Sequence, residues 1–323
     1  MKTNLPFKNL INKVGLKKKD AQQKLKVGLD ISSAAIRIVG LYPDKEKPTL
    51  VSFAYVPIED TIGSSIRKAI ASLPTTNYQL NVGLSGSGVV IRYINLPKMT
   101  RDELKGAMRF EAEKHIPFPL VEVILDTYIL DENFAGNQML VLLAAVKNDL
   151  ISQCIQLMRS AGIEVAIIDI STVALINAFL HYQAKSANLE TQTKPAALLD
   201  IGLKFSGLNI IEGRIPRLSR DISVGSKSFE TVDKEAILSN LADEVRRSFD
   251  FYESESNKPL DVIFLSGEGS RSEGIEQFIA SNFSIPVKFW DPSENCIIAP
   301  SVNKELLQSQ SHTLGVSLGL ALR

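Results

Sequence analysis

The strongest constraint on the fold is a pair of matching segments, KVGLDISSAAIRIVGL at residues 26–41 and AALLDIGLKFSGLNII at residues 196–211. Each segment is an apolar run that ends in Asp-Ile, followed by a turn of small residues and a second apolar run. This pattern predicts a β-hairpin with Asp30 or Asp200 at its tight end. Because one hairpin opens each half of the chain, the sequence predicts a duplicated fold.

Two such hairpins that face each other across a cleft could bind a nucleotide. Backbone N–H groups in the turns would donate hydrogen bonds to phosphate oxygens, and Asp30 and Asp200 would hold Mg²⁺ through water. The same pattern is equally typical of core strands that end in polar turns. Both interpretations stay open on the pattern alone.

Length and composition indicate a globular protein of about two domains. Of its 323 residues 45% are hydrophobic and 22% charged, and the formal charge is zero, which argues against nucleic acid as a partner. Cys154, Cys296 and three scattered histidines fit no metal-ligand or catalytic spacing. No apolar run approaches the roughly 18 residues of a membrane-spanning helix, and no secretory signal is visible. We therefore expect a cytoplasmic protein.

The first 25 residues form a predicted basic tail. Residues 1–26 contain eight lysines and one acidic residue, Asp20. Four apolar residues recur at helical spacing in this segment: Phe7, Leu10, Ile11 and Val14. The tail could lie on an anionic membrane surface as a basic amphipathic helix, or it could be a disordered solubilising segment.

An inserted α+β segment is predicted at about residues 86–140. Thr100 and Glu103 form a capping box at the start of a helix that reaches His115, and two apolar strands follow. Glu111 and Glu113 could be a catalytic carboxylate pair, but a surface pair between Glu111 and Lys114 is favoured. The Gly-Ser-Gly sequence at residues 86–88 lacks the Lys-Ser/Thr of a phosphate loop and indicates a hairpin turn.

The second half repeats the plan of the first. Three consecutive strands are predicted from residue 196, then a long helix that reaches Glu253, a strand, a helix at residues 272–282, an edge strand and a closing helix at residues 311–322. In the first half, a helix capped by Ser171 is predicted at residues 171–182. These elements predict an α/β protein with a first domain at residues 26–195 and a second at residues 196–323.

These runs resemble the PilM family, the actin-like proteins of type IV pilus assembly. The likeness covers nearly everything after residue 25, and its most specific part is ELKGAMRFEAEKHIPF at residues 103–118. The resemblance implies an actin-like (ribonuclease H-like) duplicated fold with an inserted subdomain. It also implies a cytoplasmic scaffold, peripheral at the inner membrane, that binds the cytoplasmic N-terminal tail of PilN in a groove between the inserted and first subdomains.

Further partners implied by the resemblance are other pilus assembly or secretion proteins, and a homo-oligomer is left open. Two alternatives also remain. The chain could be a nucleotide-switched ATPase of the same machinery, or a cytoplasmic component like the L-type proteins of type II secretion. A sugar kinase is disfavoured because no catalytic base can be identified.

The resemblance also implies which residues would bind ATP. Asp30 and Asp200 would hold Mg²⁺ through water, and the nucleotide-binding residues would be Asp30, Ser32, Ser33, Asp200, Gly202, Gly267 and Gly269. This chain departs from the family pattern, because Ser32 replaces a glycine, Glu268 separates two glycines, and Gly225-Ser226 replaces a glycine pair.

Most of the small subdomain that covers the nucleotide is also missing after Gly225. A serine at position 32 would cost about 1–2 kcal/mol if the turn required a positive φ angle. We therefore expect a weak or absent ATP site and a non-catalytic protein. Asp30 and Asp200 would remain as turn residues that accept hydrogen bonds from backbone donors.

Overall fold

The structure is a computed structural model, and it describes residues 24–44, 47–184, 194–231 and 233–323. The predicted basic tail therefore lies outside the described residues, apart from Lys24 and Leu25. No helix within these ranges is long and apolar enough to cross a membrane.

Strands and helices alternate along the described chain. The strands are β1 (Leu25–Ile31), β2 (Ala35–Tyr42), β3 (Thr49–Pro57), β4 (Tyr78–Leu84), β5 (Val89–Pro97), β6 (Val123–Ala135), β7 (Gln138–Lys147), β8 (Ile167–Ile170), β9 (Pro195–Ile201), β10 (Ser206–Glu212), β11 (Ile215–Ile222), β12 (Val262–Ser266), β13 (Val287–Phe289) and β14 (Ile297–Ile298). The α-helices are α1 (Ile62–Ala71), α2 (Arg101–His115), α3 (Asn148–Ser160), α4 (Ser171–Gln183), α5 (Lys234–Ser256), α6 (Ile275–Phe283), α7 (Lys304–Gln310) and α8 (Gly315–Ala321).

The two larger sheets have the same internal order, which confirms the predicted duplication. One contains β3-β2-β1-β4-β8, with β14 added beside β3, and the other is β11-β10-β9-β12-β13. In each, three antiparallel strands form a meander, and the first of them pairs in parallel with the next strand after a helix. Helices cover sheets of this kind on both faces, so their strands are buried on both sides. This explains why the strands are continuous apolar runs in the sequence. The fold is α/β, as predicted.

A separate three-stranded sheet, β5-β7-β6, forms the inserted segment together with α2. Leu104, Met108 and Ala112 of α2 are buried against this sheet, and Thr100 and Glu103 make both bonds of the predicted capping box. The sheet extends to Lys147, beyond the predicted end near residue 140. The reason is that β7 continues as one apolar run that pairs with β5 along its whole length.

Two local predictions about helix ends were wrong. Helix α4 has Ile170 as its N-cap without a side-chain bond, so Ser171 does not cap it. The closing helix is not continuous over residues 311–322, because a short 3-10 turn at residues 311–313 and then α8 follow α7. The break lets α8 approach α4 closely, since a Cβ atom on Gly315 would lie 2.4 Å from a side-chain carbon of Leu175.

The largest hydrophobic core joins elements of both halves. It includes residues of β1, β4 and α4 together with Ala196 of β9 and Phe264 of β12. Phe179 of α4 lies with its ring centroid 5.0 Å from that of Phe264 and 5.3 Å from that of Trp290. Burial of these large rings fixes the first half against the second. The ends of β1 and β9 are thereby held at one cleft.

Candidate functional site

The structure brings Asp30 and Asp200 to the same cleft, as the two hairpins predict. Each aspartate lies next to the last residue of its strand, β1 or β9. The pKa of Asp200 is raised from 3.8 to about 6, mainly by burial and also by the nearby carboxylates of Glu268 and Asp30, while the hydrogen bond from Ser266 acts in the opposite direction. Three carboxyl groups therefore lie within electrostatic reach of one another.

An arginine that the sequence analysis missed neutralises part of this cluster. Arg37 lies directly opposite Asp30 in the β1–β2 ladder, and its Nη1 donates to Asp30 Oδ2 at 2.9 Å. Its Nη2 donates to Glu268 Oε1, so the guanidinium connects the first half of the chain to the second. The side chain is almost fully buried. The available signal was a lone charged residue within the apolar strand AIRIVGL.

The pKa values follow from this arrangement. Burial raises the pKa of Asp30, although the Arg37 guanidinium acts in the opposite direction. Burial alone would lower the pKa of Arg37, but the carboxylates of Asp30 and Glu268 raise it overall. Arg37 therefore stays protonated and acts as the resident cation of the cleft.

Ser32 uses its side chain inside the first hairpin turn. Its Oγ accepts from the backbone N–H groups of Ala34 and Ala35, at 3.2 and 3.1 Å. The expected strain at this position is absent, because among the described non-glycine residues only Asn257 and Ser284 have positive φ angles. A hydroxyl that satisfies two turn donors replaces the need for a glycine. Ser33, the other predicted turn residue, is exposed.

Asp200 and the predicted glycines form the second side of the cleft. Asp200 Oδ1 accepts from Ser266 Oγ at 2.7 Å, and Gly202 closes its turn by donating to Phe205 O at 3.0 Å. The backbone of Gly267 has a φ angle of +84°, and a Cβ atom there would lie 2.5 Å from Ile201 O. Gly269 is equally tight, since its Cβ would lie 2.3 Å from Ile201 Cγ2.

The described partners of both aspartates are side chains. Asp30 bonds to Arg37 and Asp200 bonds to Ser266. The expectation that they accept from backbone donors was therefore wrong, because the cleft places a cross-strand guanidinium and a hydroxyl nearer. No group of three or more His, Cys, Asp or Glu residues is arranged to hold a metal ion in the described part of the chain.

Replacing Asp200 with asparagine is expected to remove part of the pH dependence of stability. A carboxyl whose pKa is raised on folding holds its proton more tightly in the folded state, so stability is lost as the pH rises through the interval from 3.8 to about 6. At about 1.4 kcal/mol per pKa unit, discounted for partial exposure, this loss is about 1–3 kcal/mol. Urea denaturation should therefore show that the free energy of unfolding of Asp200→Asn, relative to that of the parent, is higher at pH 7.5 than at pH 4.5. An equal difference at both values would contradict the raised pKa.

A second candidate region lies on the inserted segment, where it meets the first half. Phe110 on α2 is 74% exposed, and Val121, which follows α2, is 87% exposed. Asn148 Nδ2 at the start of α3 donates to Val121 O at 3.1 Å, and Lys147 Nζ lies 4.3 Å from the centre of the Phe118 ring. We call Phe110, Phe118 and Val121 the insertion surface. Phe110 and Val121 are exposed apolar side chains of the kind that interaction sites use, whereas Phe118 is half-buried against the inserted core.

Two charged residues that follow Phe110 on α2 form a surface ion pair. Lys114 Nζ donates to Glu111 Oε1 at 2.8 Å, which confirms the predicted surface pair. Two grooves also lie beside the inserted sheet. One of about 520 Å³ separates β5 from β11, and one of about 350 Å³ runs between α2 and β6.

Comparison with known proteins gives one family and several structural relatives. The family described as "Type IV pilus assembly protein PilM" matches residues 28–233 and 234–323. A chain from a structure described as a PilM-PilN type IV pilus biogenesis complex aligns with a TM-score of 0.82 at 25% identity, over 94% of this chain and 99% of that chain.

One more distant structure supports the fold alone. A Bacteroides thetaiotaomicron protein, described as having an actin-like ATPase fold and unknown function, aligns with a TM-score of 0.51 at 9% identity, over 93% of this chain and 97% of that chain. The cytoplasmic domain of EpsL, an inner membrane component of the type II secretion system of Vibrio cholerae, aligns at 0.46 and 12% identity, over 88% and 93%. That likeness is too remote to carry an argument. The duplicated architecture is thus an actin-like fold.

Proposed function

The chain belongs to the PilM family of type IV pilus assembly proteins, and we propose that it is an actin-like adaptor that binds the cytoplasmic N-terminal tail of a PilN-like inner-membrane protein. The support is the similarity over nearly the whole chain to a protein solved in a PilM-PilN complex. In this proposal the protein works in the cytoplasm, at the inner membrane, and the basic tail of residues 1–25 adds attraction to anionic lipid.

The insertion surface is the proposed docking site for the tail. Phe110 and Val121 offer exposed apolar area, and the Asn148–Val121 hydrogen bond attaches this region to the first half. An aromatic side chain on a rigid helix is a frequent source of binding energy, because it buries a large area at a small entropic cost. This choice follows the family resemblance, which implies a groove between the inserted and first subdomains.

The binding is proposed to be independent of ATP, and the position of Arg37 is the observation that carries this. Its guanidinium bonds to Asp30, the residue that would hold Mg²⁺ through water, and to Glu268. A magnesium ion would have to displace a buried and already paired cation, which costs several kcal/mol. The residues present therefore do not fit a Mg-ATP site.

The first hairpin turn supports the same proposal. A phosphate would require free backbone N–H groups, but those of Ala34 and Ala35 already donate to Ser32 Oγ. The carboxylate of Glu268 adds negative charge where the phosphates would lie, which is repulsive. A bound nucleotide would therefore find neither free backbone donors for its phosphates nor a favourable electrostatic potential.

Binding of a peptide with the sequence of the PilN-like tail is expected to be the same with and without Mg-ATP. Isothermal titration of the full chain with this peptide measures it, and titration with Mg-ATP alone should give no heat. Phe110→Asp and Val121→Asp should each lower the affinity for the peptide by tenfold or more, and a tenfold loss corresponds to about 1.4 kcal/mol. Phe251→Asp, at an exposed phenylalanine of α5, is the matched control and should leave binding unchanged. Peptide binding that appears only with Mg-ATP would contradict the proposal that the protein is an ATP-independent adaptor.

A nucleotide-switched ATPase is the second candidate. The observation in its favour is that Asp30, Asp200 and Gly202 remain at the paired hairpins. It predicts heat on titration with Mg-ATP, lost in Asp200→Ala. It also predicts that the affinity for the tail peptide changes when nucleotide is added, whereas the adaptor predicts no change.

A further inference from the structure

The groove between α2 and β6 combines an apolar floor with a basic rim. Leu104 and Met108 of α2 are buried at its base, together with the partly buried Leu125 and Ile129 of β6. Three exposed cations line the helix side at four-residue spacing: Arg101, Lys105 and Arg109. Residues four apart share one face of a helix, so these cations form a continuous basic row.

The basic row has no counter-charge of its own. None of these three side chains makes an ion pair or a side-chain hydrogen bond with any residue in the described ranges. The groove lining contains one acidic residue, Asp126, against three cations. The local excess of positive charge therefore favours a ligand with several carboxylates.

The other side of the groove is an open sheet edge. Strand β6 is the last in the order β5-β7-β6 and pairs only with β7 among the described strands. The N–H of Thr127 donates to Asp126 Oδ1 at 2.9 Å, so it is directed away from the ladder with β7. Because backbone direction alternates along a strand, Leu125 and Ile129 present their backbone groups to the same open edge. A row of such groups can pair with an incoming strand.

The spacing of the two sides matches. Cations four residues apart on a helix are separated by about 6 Å along its axis. Alternate residues of a strand are separated by about 6.6 Å, and they point to the same face. An extended peptide that pairs with β6 and runs along α2 would therefore bring every second side chain close to one cation of the row.

We propose that this groove binds an extended, acidic segment of a partner protein by strand addition to β6. Its backbone pairs with Leu125, Thr127 and Ile129, where the Thr127 N–H exchanges Asp126 Oδ1 for a carbonyl oxygen of the bound segment. Carboxylates at alternate positions contact the basic row. Apolar side chains beside them cover Leu104 and Met108. This partner is additional to the membrane-protein tail of the proposed function, which docks on the insertion surface.

A fluorescein-labelled octapeptide of alternating glutamate and valine tests the proposal by anisotropy with the full chain. We expect saturable binding at least tenfold tighter than that of the octapeptide of alternating lysine and valine. Arg101→Glu combined with Arg109→Glu should weaken binding at least tenfold. Arg67→Glu combined with Lys68→Glu, which makes the same charge change on the exposed face of α1, should change it less than twofold.

Main-chain pairing is tested separately from charge. Thr127→Pro removes the edge N–H without removing a ladder bond, and it should weaken the acidic octapeptide at least tenfold. The same peptide N-methylated at alternate residues should bind equally weakly to the unaltered protein, which avoids any folding defect. On binding, the amides of residues 125, 127 and 129 should gain protection from hydrogen exchange. Equal binding of the acidic and basic octapeptides, equal loss in the α1 control, or undiminished binding of the N-methylated peptide would overturn the proposal.

Discussion

Replacing Arg37 with methionine is expected to lower the free energy of unfolding by about 3–5 kcal/mol at pH 7. Methionine fills much of the same volume, but it leaves Asp30 and Glu268 without their shared cation in a mostly buried cleft. Removal of one partner from a buried ion pair is costly because the remaining charge stays desolvated. Urea denaturation followed by circular dichroism measures the change.

The deficit should shrink as the pH falls. Without Arg37 the Asp30 carboxyl loses the guanidinium that acts against its burial, so its pKa rises further and its protonation at acidic pH removes one unpaired charge. A group whose pKa is raised in the folded state contributes its full stability below its unfolded-state pKa and loses that contribution as the pH rises through its folded-state pKa. The difference between Arg37→Met and the parent should therefore be smaller at pH 4.5 than at pH 7.5.

Two further variants separate this effect from a general loss of charge. Combining Arg37→Met with Asp30→Asn should recover part of the lost stability at pH 7, since one unpaired carboxylate is removed. Arg247→Met breaks an exposed pair with Glu244 on α5 and should cost at most about 1 kcal/mol. If Arg37→Met costs no more than Arg247→Met, the guanidinium does not hold the cleft.

The duplicated hairpins could be predicted from the sequence because their signals are local. Apolar runs that end in Asp-Ile and a small-residue turn define the strand, its end and the chain reversal within 16 residues. The capping box of Thr100 and Glu103 is equally local, and the structure contains both of its hydrogen bonds. Positions of Asp30 and Asp200 at one cleft then follow from the symmetry of the two halves.

The partners within the cleft could not be predicted in this way. Arg37 bonds to Glu268, which is 231 residues away in the chain, and only the folded arrangement brings them together. The role of Ser32 could not be predicted either, because only the folded turn shows its side chain satisfying the donors that a glycine would leave free. The end of the inserted sheet and the break before α8 also depend on tertiary packing, which overrides local periodicity.

Substitution of Gly319 with alanine is expected to lower the free energy of unfolding by about 3 kcal/mol or more. A Cβ atom at this position of α8 would lie 1.8 Å from the backbone oxygen of Ala174 on α4. Backbone atoms cannot rotate away as a flexible side chain can, so α8 must shift. Since α8 also packs on β1, where a Cβ on Gly28 would lie 1.9 Å from Ser317 O, the displacement should reach the strand that carries Asp30.

The same substitution at Gly106 provides a control of opposite sign. Gly106 is an exposed residue of α2, and a Cβ atom there would have no neighbour within 4 Å. Alanine in such a helical position should stabilise the protein by up to about 1 kcal/mol, because it restricts the unfolded chain and favours the helix. Chemical denaturation of both variants should therefore move the midpoint in opposite directions. If Gly319→Ala is as stable as the parent, α8 is not packed tightly between α4 and β1. The packing of α8 would then not explain the position of the first hairpin at the cleft.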